Sequence, residues 1–164
     1  MRDSLKIKAL ALDVDGVLTD GRLYYSAEGE EMKAFHVHDG LGMKRWKQAG
    51  YKLFIITGRN SMIVENRATE LSVDETMQGV SDKKLAMELI AGRNSLRTEE
   101  IAFVGDDLND LPAFGCSGFA MCPSSAVTEV RESVDLVLLH RGGEGAVREA
   151  VEFLLSARGE WTGR

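Results

Sequence analysis

The stretch that most constrains this chain is Ile7-Lys8-Ala9-Leu10-Ala11-Leu12, a largely apolar run that stops abruptly at Asp13-Val14-Asp15-Gly16. Such a run, bounded by acids and a glycine, predicts a buried strand that delivers carboxylates to its C-terminal end, where open α/β sheets keep their ligand crevices. Two carboxylates so close repel each other and lose hydration on burial, so they require a cation, a proton or a basic neighbour. A magnesium ion meets that requirement. Gly16 lets the backbone turn sharply and a ligand approach the main chain. A lone Asp-x-Asp also occurs in solvated turns; the apolar strand before this one, and three later segments, favour a site.

The alternation continues along the chain. Residues 22–26 and 31–37 flank Ala27-Glu28-Gly29-Glu30 and predict a β-hairpin whose glycine makes the turn. A ribbon of this kind exposes its edges and is marginal by itself, so it needs something to pack on, such as another subunit. From Asp39, with Gly40 and Gly42 loosening the entry, Leu41, Met43 and Trp46 support a helix that Gly50 ends. Residues 51–56 form the next buried strand, stopping at Thr57-Gly58-Arg59, and a helix over 61–71 and a short strand over 74–77 follow. Ser81-Asp82-Lys83-Lys84 opens a helix whose core face is expected to hold Leu85, Leu89 and Ile90. Residues 101–104 are a third strong strand, ending in Gly105-Asp106-Asp107-Leu108-Asn109-Asp110, and short strands over 118–121 and 135–139 complete the pattern. The rhythm predicts an α/β fold with a doubly wound, mostly parallel sheet. With 164 residues and no repeat or proline-rich linker, a single domain over residues 1–164 is expected.

The net charge of -6 speaks against a nucleic-acid partner, which usually calls for a basic face. The N-terminal Met1-Arg2-Asp3-Ser4-Leu5-Lys6 is too charged, and the apolar run after it too short, for a signal peptide or a membrane helix. Cys116 and Cys122 lie in an apolar stretch without Cys-x-x-Cys spacing or a nearby histidine, and read as buried reduced thiols suited to the cytoplasm. His36-Val37-His38 puts two imidazoles on one strand face, but no third metal ligand stands at a useful spacing.

Three strands therefore end in chemistry: Asp13 with Asp15, Thr57, and Asp106-Asp107 with Asp110. In a right-handed doubly wound sheet these ends share one edge, and Lys83 opens a helix between the second and third. The set suits phosphoryl transfer, in which a carboxylate attacks, magnesium neutralises phosphate and nucleophile, and a lysine and a hydroxyl hold the phosphoryl oxygens. Lys84 competes with Lys83, since spacing does not detect a slip of one residue; the helix-start position favours Lys83. Thr57 by itself would be an ordinary turn residue, and its force comes from the set.

In this order, Asp13-Val14-Asp15-Gly16, Thr57, Lys83 and Gly105-Asp106-Asp107-x-x-Asp110 resemble the four motifs of haloacid dehalogenase superfamily phosphatases. The resemblance implies that Asp13 is the nucleophile and Asp15 an acid and then a base that also offers magnesium its backbone carbonyl. It further implies that Thr57 and Lys83 bind phosphate, that Asp106 is a metal ligand, and that Asp107 and Asp110 support the ligands from behind. Over its full length the chain is similar to the capless phosphatases of 3-deoxy-D-manno-octulosonate 8-phosphate (KDO 8-phosphate), which serve lipopolysaccharide biosynthesis. The similarity runs through the segment from Asp15 to Gly21, the hairpin to Phe35, Asp39-Gly40-x-Gly42, Thr57-Gly58-Arg59, Gln78-Gly79 and Gly142-Gly143-x-Gly145-Ala146-Val147-Arg148-Glu149. It implies a homotetramer in which hairpins associate and a neighbouring subunit covers each site. Substrate anchors carry over to His36, Val37, His38, Asp39, Gly40, Lys44, Arg59 and Arg67, alongside Asp15 and Lys83. An arginine fork matches the carboxylate of a sugar acid. The chain departs from the family where His36 and His38 replace Asn or Arg, and where Lys44 replaces a common arginine. Three alternatives stay open: a nine-carbon keto-deoxy sugar acid 9-phosphate as substrate, which Arg59 disfavours; a non-catalytic oligomerisation module like that of sialate cytidylyltransferases, against which the complete motif set speaks; and a signalling receiver domain, whose motif order differs.

Overall fold

The computed structural model describes residues 4–27, 29 and 31–161. The first residues of the N-terminal segment (1–3), Glu28 and Glu30 of the expected hairpin turn, and residues 162–164 lie outside them. In chain order the elements are β1 (Ala9–Leu12), β2 (Tyr24–Tyr25), β3 (Glu31–Met32), α1 (Val37–Gln48), β4 (Lys52–Ile56), α2 (Met62–Glu70), β5 (Glu75–Met77), α3 (Lys83–Arg93), β6 (Ile101–Val104), α4 (Leu111–Cys116), β7 (Phe119–Cys122), α5 (Thr128–Arg131), β8 (Leu136–Val137) and α6 (Ala146–Ser156).

Six strands form one sheet in the order β5-β4-β1-β6-β7-β8, every pairing parallel. Parallel strands are covered on both faces and therefore read as continuous apolar runs. All four residues of β1 are buried. Leu10 and Leu12 pack with Met43, Trp46, Val64 and Leu154 in the layer of α1, α2 and α6. Ala9 and Ala11 pack with Phe54, Phe103, Met87 and Phe114 on the face covered by α3, α4 and α5. The chain winds away from β1 in both directions, which makes its C-terminal end the switch point where such sheets open a crevice. Register brings the chemistry level: Leu12 pairs with Ile55 and with Val104, and the Asp13 amide donates to the Val104 carbonyl at 3.0 Å.

α1 and α6 pack closely because Gly42 has no side chain; a Cβ there would stand 3.0 Å from Arg148 Cα. Asp39, buried in the first turn of α1, accepts from the Arg148 amide at 2.8 Å, at the N-terminus of α6. Burial raises its carboxyl above the ordinary range, against the pull of that amide. Trp46 is buried, donates from Nε1 to the Lys52 carbonyl at 2.7 Å and stacks on Tyr51. Both cysteines are free; Cys122 is buried, which pushes its thiol up to about 11, and Cys116 is half-buried. Among the described residues no helix is long and apolar enough to cross a membrane.

Three expectations need correction. The ribbon is shorter than expected: β2 and β3 form a two-stranded antiparallel pair outside the main sheet, with Tyr24 opposite Met32. His36-Val37-His38 is not a strand. His36 is the N-cap of α1, its Nδ1 accepting from the His38 amide at 3.2 Å, and Val37 and His38 lie in the first helical turn. A side chain that satisfies a free amide at a helix start competes well with extended structure. The third correction concerns α3, whose inner face carries Lys83, Ala86, Met87, Ile90 and Ala91. Leu85 and Leu89 point outward, because turning Lys83 towards the strand ends fixes the helix about its axis and only positions three, four and seven on share that face.

This orientation has a measurable consequence. Ile90→Ala should cost about 2–5 kcal/mol of unfolding free energy. Leu85→Gln, at a position 52% exposed, should change it by less than about 0.5 kcal/mol. Denaturant titrations of the two variants check the contrast; similar losses would mean that α3 faces the core differently.

Candidate active site

Asp13 leaves β1, Thr57 leaves β4, Asp106 leaves β6 and Lys83 begins α3, so four elements aim their ends at one place. Asp82 caps α3 by accepting from the Leu85 amide at 3.0 Å, which fixes the start of the helix next to the strand ends. The Lys83 side chain is 1% exposed; its Nζ lies 2.7 Å from Asp13 Oδ2 and 2.5 Å from Asp110 Oδ1. Lys84 is exposed and faces Glu88 at 3.9 Å, so of the two lysines Lys83 is the one that lies at the strand ends. Asp110 is fully buried, and its Oδ2 accepts from the amides of Asp106 at 2.8 Å and Asp107 at 3.2 Å. It thereby shapes the loop that presents Asp106. Asp107 is exposed and accepts from the Leu108 amide, closing the short 3-10 turn that follows.

Asp13, Asp106 and Asp110 offer oxygens that all lie within 4.8 Å of one another. Three carboxylates share a single ammonium, and the imbalance shows in their protonation. Burial, followed by repulsion from Asp13, Asp110 and Asp107, raises Asp106 to about 7. Burial raises Asp13 to about 6, against the pull of Lys83. For Lys83, burial works against the charge, but Asp13 and Asp110 outweigh it and hold the ammonium above its ordinary range. A hard divalent cation fits this set: every donor is an oxygen, and the site carries surplus negative charge. Asp110 is fully buried with both oxygens engaged by Lys83 and two amides, whereas Asp13 and Asp106 line the cavity and are the carboxylates placed to face an ion. Gly16, at φ +85°, makes this possible, since a Cβ there would stand 1.9 Å from Asp106 Oδ2.

A cavity of about 220 Å³ opens onto these groups, lined by Asp13, Asp15, Thr57, Arg59 and Asp106 among others. Thr57 is buried and its amide donates to the Met77 carbonyl. Thr19 Oγ1 accepts from the amides of Gly16 at 3.4 Å and Gly21 at 3.2 Å and holds the loop after β1 in shape. The Asp15 carboxylate faces Lys33, with Nζ 2.5 Å from Oδ1, and Arg59, with Nε 3.8 Å from Oδ2. Arg59 in turn donates from Nη2 to the Tyr25 hydroxyl. Sequence reasoning singled out neither Lys33 nor Tyr25; a lysine or tyrosine on a ribbon gives no signal of this kind.

The remaining anchors are placed elsewhere on the chain. Val37, Gly40, Lys44 and Arg67 line a second depression of about 210 Å³ on the α1 and α2 side. There Arg67 pairs with Glu70 at 2.8 Å and lies over the Phe35 ring at 5.5 Å. His38 lines a third hollow with His140 and Arg148. His36 caps α1, and Asp39 accepts from α6 through Oδ1 while its Oδ2 is buried without a hydrogen-bond partner among the described residues. Of the expected anchors, only Arg59 joins Asp15 and Lys83 within a single chain.

Asp13 and Asp106 bind protons more tightly in the folded chain than their ordinary value of 3.8. Without a cation, stability from these groups is therefore greatest below about pH 4 and is lost as pH rises towards about 7. A divalent cation binds the carboxylates and displaces the protons. Affinity should accordingly rise with pH up to about 7 and then level off, with proton release on binding near pH 6. Calorimetry near pH 6 in two buffers of different ionisation enthalpy measures that release, and binding without it would contradict the raised carboxyls.

The sequence model for haloacid dehalogenase-like hydrolases matches residues 39–118. The 3-deoxy-D-manno-octulosonate 8-phosphate phosphatase KdsC of Haemophilus influenzae is 40% identical over 154 residues, 94% of this chain and 86% of the relative. That of Escherichia coli K12 is 39% identical, over 94% of this chain and 82% of the relative. Among solved structures, the Moraxella catarrhalis 3-deoxy-D-manno-octulosonate 8-phosphate phosphatase in complex with magnesium ion, phosphate ion and KDO aligns with a TM-score of 0.92 and 42% identity, covering 94% of this chain and 88% of that one. The cobalt-bound H. influenzae phosphatase aligns with a TM-score of 0.92 and 39% identity, covering 96% of this chain and 92% of that one. With motifs, fold and full-length similarity in agreement, the chain belongs to the 3-deoxy-D-manno-octulosonate 8-phosphate phosphatases of the haloacid dehalogenase-like hydrolases.

Proposed function

We propose that this protein hydrolyses 3-deoxy-D-manno-octulosonate 8-phosphate to the free sugar acid and phosphate, acting as a single capless domain in the cytoplasm. The observation that carries this reading is the buried Asp13–Lys83–Asp110 cluster opening beside Asp106 and Thr57 onto one cavity. The relative from M. catarrhalis, solved with magnesium, phosphate and KDO, supports the substrate and the ion.

Asp13 attacks the phosphorus, forming a carboxyl-oxygen-to-phosphorus bond as the bond to the sugar O8 breaks. Asp15 gives the departing oxygen its proton. A water then attacks the aspartyl-phosphate, Asp15 takes the proton of that water, and Asp13 is released with free phosphate. Lys83 keeps Asp13 oriented and, with Thr57, offers positive charge and a hydroxyl to the phosphoryl oxygens. Magnesium, held by Asp13, Asp106 and the Asp15 carbonyl, would offset the repulsion between phosphate and nucleophile. Asp107 and Asp110 maintain the loop that carries Asp106.

The sugar acid requires cations for its carboxylate, and Arg59 supplies one at the cavity. Lys44 and Arg67 lie at a separate depression, so a second copy of the chain is the source we assign to them. Tyr24, Tyr25 and Met32 leave the ribbon with exposed apolar side chains suited to such an association, which we take to be a homotetramer.

Asp13→Asn should lower turnover by several orders of magnitude while circular dichroism and melting show a folded protein, because the change removes nucleophilic charge with little change of shape. Turnover like that of the wild type in this variant defeats the assignment. Arg67→Ala should be nearly inactive on the sugar acid phosphate, yet mixing it with Asp13→Asn during refolding should restore activity that neither has alone. A mixture as inactive as its parts, once light scattering shows mixed assemblies, argues that each site is built within one chain.

A further inference from the structure

We infer that Lys33 is a positioning residue for the proton-transferring Asp15, so that the hairpin arm is part of the catalytic apparatus of its own subunit. The inference rests on the role proposed above for Asp15. Around Lys33 the ribbon is open: Met32 is 65% exposed and Tyr25 60% exposed. The Lys33 side chain is nevertheless only 1% exposed and brings its ammonium to 2.5 Å from Asp15 Oδ1. Drawing a lysine out of water is unfavourable unless a partner compensates the charge, so a ribbon residue that merely needed solvation would turn outward. The inward placement is held by a charge-assisted hydrogen bond to one particular carboxylate.

Asp15 needs such support. It follows the nucleophile by two residues, precedes the turn at Gly16, and presents a carboxylate that is 21% exposed at the cavity. In this fold family the departing oxygen must meet the acid within hydrogen-bond reach, and a carboxylate free to rotate spends much of its time elsewhere. Two contacts narrow that freedom. Lys33 holds Oδ1 directly, and Arg59 lies 3.8 Å from Oδ2 while donating to the Tyr25 hydroxyl of β2. Both originate from, or are tied to, the hairpin, which thus fixes the orientation of Asp15.

A leaving-group series separates this role from a contact with substrate. For phosphate monoesters that do not enter the sugar-acid pocket, kcat/KM reports the phosphoryl transfer to Asp13. A good leaving group such as p-nitrophenolate departs without a proton, whereas phenolates of high pKa and alkoxides require one. Lys33→Met keeps the length of the side chain and removes its charge. It should lower kcat/KM on the order of 10- to 100-fold for poor leaving groups, part of what general-acid catalysis contributes, and less than about threefold for p-nitrophenyl phosphate. Asp15→Asn should steepen the same dependence further, and the double variant should be no worse than Asp15→Asn. Lys33→Arg, which retains a cation at that place, should recover most of the loss. An equal loss across the series, or losses that multiply in the double variant, overturns the role of Lys33. If Asp15→Asn itself leaves the leaving-group dependence unchanged, the assignment of Asp15 fails, and the inference with it.

Discussion

The Lys83 ammonium, enclosed between Asp13 and Asp110, governs more of this structure than any other contact. An ion triad out of water stabilises little by itself, since desolvation offsets much of the attraction; losing one member, however, strands the charges of the others. Asp13, Asp106 and Asp110 lie close enough to share an ion, and without the lysine their mutual repulsion would drive them apart or into their neutral forms. The same contact sets the rotation of α3, ties that helix to the end of β1 and anchors the loop after β6 through Asp110. A site of phosphoryl-transfer type is thus built around one buried cation in reach of Asp13, the nucleophile of the reading proposed above, with room for a second positive charge beside Asp106.

The parallel sheet makes this arrangement reproducible. Because β4, β1 and β6 are in register, the residues following each strand emerge at the same height, and no long loop has to be ordered to bring them together. Alanines in β1 on one face and leucines on the other seat the two helical layers on a strand only four residues long. The site itself then needs little further support: a cap at Asp82, the hydroxyl of Thr19 and a glycine at position 16.

Much of this was legible in the sequence, and the exceptions have physical reasons. Strand ends that stop in Asp, Thr or Asp-Asp are visible because burial on both faces gives uninterrupted apolar runs. The inner face of α3 was not, because leucines ordinarily mark the core and here a lysine does; only the pairing partners of Lys83, distant in sequence, reveal the direction. Residues 36–38 alternate as a strand would, yet a histidine able to cap free amides starts a helix there. Asp39 and Arg67 carry charges that the family resemblance assigns to substrate, while in one chain they hold α6 and face Glu70. Whether a charged side chain serves packing, pairing or a ligand depends on what the fold sets opposite it, and periodicity holds no record of that.

The ribbon of β2 and β3 carries exposed tyrosine and methionine side chains on its surface and sends Lys33 and, through Tyr25, a hold on Arg59 to the cavity. One short segment therefore answers to two demands at once. A substitution that changes how the ribbon lies would move Lys33 away from Asp15 and Tyr25 away from Arg59, and a change at either contact would release the ribbon. The face that the ribbon shows to its surroundings and the charge balance at the cavity are therefore set by the same few residues, and neither can be altered without the other.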